Sequence, residues 1–424
     1  MRLDERRETK DERLCHPEQS EGSKTILSEV CEFIVDCPHS TANDEGVGFP
    51  LVRTPNVGKG RLVYNDMHRV SEDVYNQRNF RAVPQEDDLI FAREAPAGNV
   101  ALIRKGEKVC LGQRTVLLRP NKQKVDPSFL TYYLLAPKQQ YGLTGTANGA
   151  TVAHVNMPTI RNLAIELPDI KVQRKLGGIL SAYDNLIENN QKQIKLLEEA
   201  AQRLYKQWFI DLRFPGHETT PIVDGLPEGW RKVTLGSALS KITTGLNPRK
   251  NFVLGQGKNF YVTIKNMGDN NIYLDDKCDR VNDEALEKIN KRSDLKTGDI
   301  LFSGIGTIGR VYLIDIPTNN WNVSESVFTM RVNECVSKEF LYLMLLSDDV
   351  QSYCDLHAHG VAQRGIRMAD LKEYKFVLPE NKIIDSFTTM VEPIIEKTQI
   401  LRKSINYAAE SRDRLLPKLM NNEI

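Results

Sequence analysis

Two kinds of apolar pattern alternate along this chain. From about Val172 to Phe209 the side chains Leu176, Ile179, Tyr183, Leu186, Asn190, Ile194, Leu197, Ala201, Leu204 and Trp208 recur at steps of three and four, the spacing of one face of a long helix. Two successive steps of four around Asn190 break the alternation as a coiled-coil stutter does. The same frame returns at Phe387, Met390, Ile394, Leu401, Ile405, Ala408, Leu415 and Leu419, with Lys397 and Arg412 as polar interruptions. Pro393 is read as a kink in this second helix or as its beginning. Elsewhere short apolar runs are punctuated by Gly, Pro, Asn and Asp, which predicts strands at Gly48–Val52, Leu89–Phe91, Val100–Ile103 and Val116–Leu118. Short helices are expected at Pro127–Leu135 and Ser337–Leu346, each followed by a polar, glycine-bearing loop and a strand, Ile165–Pro168 or Phe376–Pro379.

The order of elements is the same in both halves, and so is their spacing. Asp88-Leu89-Ile90-Phe91 with Gly98 answers to Asp299-Ile300-Leu301-Phe302 with Gly309, 211 residues on. The offset persists for Arg69/Arg280, Val116/Val327, Phe129/Phe340, Leu134/Leu345, Gly149/Gly360, Met157/Met368 and Leu167/Leu378. One spacing held this long marks a tandem duplication. A helix of about 38 residues is roughly 57 Å long, more than a single small domain needs for its core. Two such stripes bury their seams most simply against each other, and an antiparallel pair would carry one domain at each end of a pseudo-twofold rod. The expected fold is α+β: two tandem β-rich α/β domains separated by two long coiled-coil helices, antiparallel in that pseudo-twofold arrangement. Boundaries fall at 1–24 (a charged, disordered extension), 25–170 (first domain), 171–210 (central helix), 211–230 (linker), 231–380 (second domain) and 381–424 (C-terminal helix). Asn190 in the seam would set register at some cost in stability.

Composition narrows the function without choosing it. With 424 residues, a net charge of +1 and a pI near 7.6, any anion-binding surface has to be a local patch. The seven cysteines (15, 31, 37, 110, 278, 335 and 354) show no C-x-x-C spacing, which suits a reducing cytoplasm and argues against a zinc ribbon. His357 and His359 have no third ligand nearby, so no metal is expected. No apolar run is long enough for a membrane span, and the N-terminus lacks the apolar core of a signal peptide. The segment Gly304-Ile305-Gly306-Thr307-Ile308-Gly309 spells G-x-G-x-x-G, but the β-branched and aromatic residues after it predict a strand where a dinucleotide site needs a helix. The first copy keeps only Gly98 of this motif, as a hairpin turn with positive φ would require. An oxidoreductase using this loop, and a two-domain scaffold for protein or glycan, are the rival readings. Neither accounts for the duplication with its rod.

Two similar domains carried by a rod suit an extended, two-part ligand such as double-stranded DNA, whose faces recur about every 34 Å. Basic and amide residues gather in the turn-rich segments: Arg53, Lys59, Arg61, Arg93 and Arg114 in the first copy, and Arg249, Lys250, Lys258, Lys265, Asn266, Arg310, Gln363, Arg364 and Arg367 in the second. Arg reads guanine and Asn or Gln adenine, while Lys mostly holds phosphate. Taken singly, each is more readily read as a solvated surface charge, and only the clustering in loops of duplicated domains favours DNA. No N-P-P-[FY], Walker A, G-x-S-x-G or H-E-x-x-H motif is present, and the E-x-K at Glu380–Lys382 lacks the rest of a nuclease core. The chain reads as non-catalytic.

The stretch QWFIDLRFPGHE (Gln207–Glu218) closing the first long helix, and GLPEGW (Gly225–Trp230) opening the second copy, closely resemble the specificity subunit (HsdS) of type I restriction-modification systems. The resemblance spans nearly the whole chain. It implies that each half is a target recognition domain plus a long helix, one domain for each half of a bipartite, asymmetric DNA site. It also implies partners: a methyltransferase subunit (HsdM) using S-adenosylmethionine for adenine-N6 DNA methylation, and a restriction subunit (HsdR) using ATP and Mg in defence against foreign DNA. No cofactor is implied for this subunit. The first copy lacks a counterpart of Trp230, and the charged N-terminal extension is outside the family pattern.

Overall fold

A computed structural model describes residues 23–145, 154–249, 251–360 and 364–421. The chain forms two compact units, residues 1–188 with 405–424 and residues 189–404. Each therefore holds one β-rich domain and one stretch of each long helix.

In the first unit an antiparallel sheet runs in the order Cys31–Asp36, Thr115–Pro120, Leu89–Ala92, Val100–Leu102. A second sheet orders His68–Val70, Phe49–Val52 and Cys110–Leu111, its last pair parallel. The strand Leu89–Ala92 is buried along its length because its two faces enter different cores. Leu89 and Phe91 pack with Phe129, Leu130 and Leu134, whereas Ile90 and Ala92 pack with Val52 and Ile103. The antiparallel pairing of Ser23–Ile26 with Ala164–Leu167 joins the two ends of the domain. Ser23 and Lys24 thus belong to a strand, which corrects the expected extension boundary; residues 1–22 lie outside the described residues.

The second unit repeats this plan. Its sheets are ordered Leu239–Thr244, Val327–Val332, Ile300–Ser303, Val311–Leu313 and Asp279–Val281, Asn259–Val262, Trp321–Val323, again with a parallel last pair. Arg231–Thr234 pairs with Lys375–Leu378. One register corrects the sequence alignment: Leu89 faces Leu118 but Ile300 faces Met330, so the counterpart of Val327 is Thr115 and not Val116. The extra residue is absorbed before the next helix. The N-caps Asp126 and Ser337, which accept from Phe129 N (2.9 Å) and Phe340 N (3.1 Å), are again 211 apart.

The long helices are Ile170–Tyr205, prolonged by a π turn at Lys206–Ile210, and Asn381–Met420. The second runs through Pro393, which is exposed, so that proline does not mark its beginning. Ile383, Ile384 and Phe387, all buried before it, anchor the first turns. The helices pair antiparallel. In the first unit Leu176, Leu180 and Ile179 share a cluster with Leu415, Leu416 and Leu419. In the second, Ala201, Leu204 and Tyr205 share one with Phe387, Val391, Ile394 and Ile395. Tyr183, Ile194, Leu197 and Ile405 are half-buried along the seam, and Leu401 and Ala408 are buried. Leu186 and Met390 do not belong to it, being 43% and 50% exposed; the buried row passes instead through Asp184, Asn190, Val391 and Thr398. An apolar count steps around Asp184, but a charged residue can occupy a seam when its counterion is there too.

Candidate nucleic-acid interface

In each domain three loops are tied together by hydrogen bonds, and the ties of the first two loops recur in both domains. The first loop is the turn between the two hairpin strands. In GIGTIG it joins Ile300–Ser303 to Val311–Leu313, with Phe302 facing Val311, so the glycines serve a hairpin and no helix follows. Gly98 and Gly309 adopt φ of +89° and +87°, a region open to glycine. A second reason for glycine lies in the neighbouring helix. Gln140 and Gln351, 211 residues apart, donate to Gly98 O (2.8 Å) and Gly309 O (3.0 Å), and to Leu134 O and Leu345 O (2.7 Å each). A Cβ at either glycine would strike that amide.

The second loop is the polar segment leading into Met157–Arg161 and Met368–Lys372. It docks on the turn through one shared backbone bond, Val155 N to Arg93 O and Ile366 N to Gly304 O (2.9 Å each). The third is the single-turn helix Thr54–Asn56 or Ile264–Asn266. Arg310 links it to the hairpin by donating to Ile264 O (3.4 Å) and Met267 O.

This framework separates the candidate contacts into two groups. Arg93 is 8% exposed, and its guanidinium donates to Val155 O (2.9 Å) and Asp36 (2.8 Å) and meets His154 Nε2 (3.0 Å). Asn266 is 6% exposed and accepts from Thr263 N (2.9 Å), just as Asn56 accepts from Arg53 N (3.2 Å). Both are internal struts, contrary to the sequence expectation. Arg61 is likewise turned inward, onto Glu188 (2.8 Å) and Asn185 (2.7 Å) of the long helix. Arg310 is occupied by the carbonyls of Ile264 and Met267, and Arg53 donates to Asp66 O (2.5 Å). Local bonding decides this, because a guanidinium close to several orphan carbonyls gains more from them than from water.

Lys59, Arg249, Lys265 and Arg367 are exposed. Lys258 is exposed near Asp283 (3.7 Å), Arg364 near Asp355 (3.7 Å), and Arg114 pairs with Glu94. Lys265, Arg364 and Arg367 belong to two loops joined around one hairpin, since Gly306 N donates to Arg364 O (2.7 Å) and a Cβ at Gly306 would press on Ile264. Lys250 and Gln363 lie outside the described residues.

Titration behaviour is structural in character. Burial pushes the thiols of Cys31 and Cys354 up to about 12 and that of Cys110 to about 11, which makes them poor nucleophiles. Burial, then the guanidiniums of Arg93 and Arg114, hold His154 below its ordinary value. Its Nε2 faces Arg93, and Nδ1 meets Glu94 Oε1 at 2.5 Å.

Asn190, expected in the seam, is joined there by residues the sequence reading passed over: Asp184, Glu198, Arg402 and Ser404. Asp184 pairs with Arg412 (2.5 Å), Asn190 donates to Ser404 Oγ (3.0 Å), and Glu198 pairs with Arg402. Arg412 already interrupted the stripe, and a scan for an acid at its antiparallel mate would have found Asp184.

A family model described as type I restriction modification DNA specificity domain matches residues 24–199 and again 227–406. The chain is 26% identical over 392 residues to the type I restriction enzyme MjaIX specificity subunit of Methanocaldococcus jannaschii, covering 89% of this chain and 87% of that one. It is 23% identical over 410 residues to the type I restriction enzyme HindI specificity subunit of Haemophilus influenzae, covering 80% and 87%. The crystal structure of a type I restriction-modification system S subunit from M. genitalium has the same fold, with a TM-score of 0.57 at 15% identity over 95% of this chain and 97% of that chain. Among the described residues no helix is long and apolar enough to cross a membrane.

Proposed function

Since this chain belongs to the family of type I restriction modification DNA specificity domains, we propose that its two recognition domains each read one half of a bipartite, asymmetric DNA site. The observation that carries this reading is the duplicated framework with unlike exposed loops. The hairpin turn, its Gln–Gly lock and the docked loop are the same in both domains, while the side chains they present differ. A shared scaffold with divergent loops suits two different half-sites.

In this reading Lys59, Lys258 and Lys265 hold phosphates, and Arg249, Arg364 and Arg367 are placed to reach base edges. Arg93, Arg61 and Asn266 act indirectly, by holding the loops that carry those contacts. The chain itself binds and orients. Methylation, with S-adenosylmethionine, belongs to a methyltransferase subunit, and translocation and cleavage, with ATP and Mg, to a restriction subunit.

The test is co-expression with the neighbouring methyltransferase subunit, followed by single-molecule sequencing of the host DNA for N6-methyladenine. A split motif that depends on this chain is expected. Replacing residues 231–378 with those of another family member should then change one half of the motif and preserve the other. Change in both halves would sink the assignment of one domain to one half-site, and methylation independent of this chain would favour a scaffold.

A further inference from the structure

We infer that the polar residues of the helix seam select its partner, making the first long helix pair with the second in preference to a copy of itself. The apolar frame cannot make that choice. Leu176 and Phe387, Ile194 and Ile405, Leu197 and Ala408, and Leu204 and Leu415 occupy equivalent places 211 residues apart, so apolar burial is much the same for first–second, first–first and second–second antiparallel pairs.

The polar pairs break that equivalence. Among the pairs described across the seam are Asp184 with Arg412 in the first unit, and Asn190 with Ser404 and Glu198 with Arg402 in the second. Both carboxylates are on the first helix and both guanidiniums on the second. The 211-residue spacing gives each residue a counterpart: Ile395 for Asp184, Ala201 for Arg412, Leu401 for Asn190, Gln193 for Ser404, Ala409 for Glu198 and Gln191 for Arg402. None of these counterpart pairs is ionic, and Ala201 and Ile395 lie in one buried apolar cluster. Each polar pair therefore occurs once, not twice as a symmetric seam would have it.

Homotypic pairing would separate every partner. In a first–first pair Asp184 would face Ala201 of the other copy, and Glu198 would face Gln191. In a second–second pair Arg412 would face Ile395, and Arg402 would face Ala409. Asp184, 3% exposed, keeps Tyr132 (2.5 Å) and Arg61 (3.7 Å) from its own domain in either case; what it loses is its closest cation. Arg412 and Arg402, with side chains 18% and 15% exposed, would lose their cross-seam carboxylates. Leaving a buried charge without its partner is strongly unfavourable, whereas an intact pair contributes little net stability. The seam thus uses its charges for selection, and the two unlike domains remain together on one seam.

The experiment uses two full-length single variants with different tags, Glu198→Arg and Arg402→Glu. This pair is chosen because Arg61 also faces Asp184, while Glu198 has a neutral second neighbour in Asn270 (2.9 Å). Within either variant like charges meet across the seam. When the first helix of one variant pairs with the second helix of the other, opposite charges meet again at both crossings. Native mass spectrometry of the co-expressed variants should show a mixed dimer at least tenfold above either self-dimer. The double variant Glu198→Arg with Arg402→Glu should keep the oligomeric state of the unmodified chain. Tags mixed in statistical proportion, no mixed species while both variants remain folded, or aggregation that co-expression fails to relieve would each overturn the inference.

Discussion

The two recognition domains share a topology but grip the long helices by different physics. The first domain holds on by charge: Arg61 reaches Glu188 and Asn185, Arg104 reaches Glu188, and Tyr132 donates to Asp184 at 2.5 Å. The second adds rings to polar contacts of its own, Lys403 with Asp315 (2.8 Å) and Asn270 with Glu198 (2.9 Å). Phe209 packs edge-on against Phe387 and Phe340, with centroids 4.7 and 4.9 Å away at 77° and 79°, and Tyr205 and Trp208 complete the cluster. A duplicated fold therefore conserves where a domain meets its helix more strictly than the chemistry used there. Ring packing tolerates salt and punishes truncation, whereas the ionic grip depends on every member keeping its partner.

The largest effect should come from breaking the ring cluster. Phe387→Ala should destabilise the second unit by about 3–5 kcal/mol. All three tryptophans (208, 230 and 321) belong to that unit, so the urea midpoint followed by tryptophan fluorescence should fall. An unchanged midpoint would show the cluster to be dispensable. Next comes the ionic grip: Arg61→Ala should cost about 1–3 kcal/mol by removing charged hydrogen bonds to Glu188 and Asn185. The loss should appear as faster amide exchange in the first unit, with the tryptophan signal unmoved. A large fall in DNA affinity with exchange unchanged would instead return Arg61 to the DNA surface.

A smaller contrast separates two adjacent residues. Lys265→Ala should weaken DNA binding evenly across sequences and reduce the salt slope of log affinity by about 1. Asn266→Ala should cost about 1 kcal/mol of stability through the lost turn cap and leave that slope unchanged. The smallest effect is a pH response confined to the first domain. His154 has a depressed folded-state pKa, so the unfolded chain takes up its proton first as pH falls. Its contribution is complete above the unfolded value, about 6.5, and is lost as pH falls through the folded one. His154→Gln should flatten the change in amide protection of residues 154–156 between about pH 7 and pH 5; an equal pH response in the variant would assign it to another group.

Much of this was legible along the chain. Repeated spacing exposed the duplication, the hairpin with its glycine turn was readable from the β-branched and aromatic run after Gly309, and the helix stripes were found at the right period. The site was less legible, for a specific reason. Arg93 and Lys265 look alike as basic residues in a turn, but Arg93 lies beside the carbonyl of Val155 and the carboxylate of Asp36, while Lys265 has exposed surface around it. Asn266 was hidden in the same way, since its side-chain oxygen is taken by Thr263 N in its own turn.

By itself the sequence determined the repeat and the order and type of the elements, because these depend on periodicity and on spacing counted along one chain, while the family was legible in the likeness of QWFIDLRFPGHE and GLPEGW. Only the tertiary structure decided which basic side chains stay exposed and which are bonded within the protein, where the strand register slips by one residue, and that Asp184 belongs in the seam. Those outcomes depend on groups far apart in sequence meeting at hydrogen-bond distance, as Asp184 meets Arg412, and a buried charge becomes tolerable only when such a partner arrives with it.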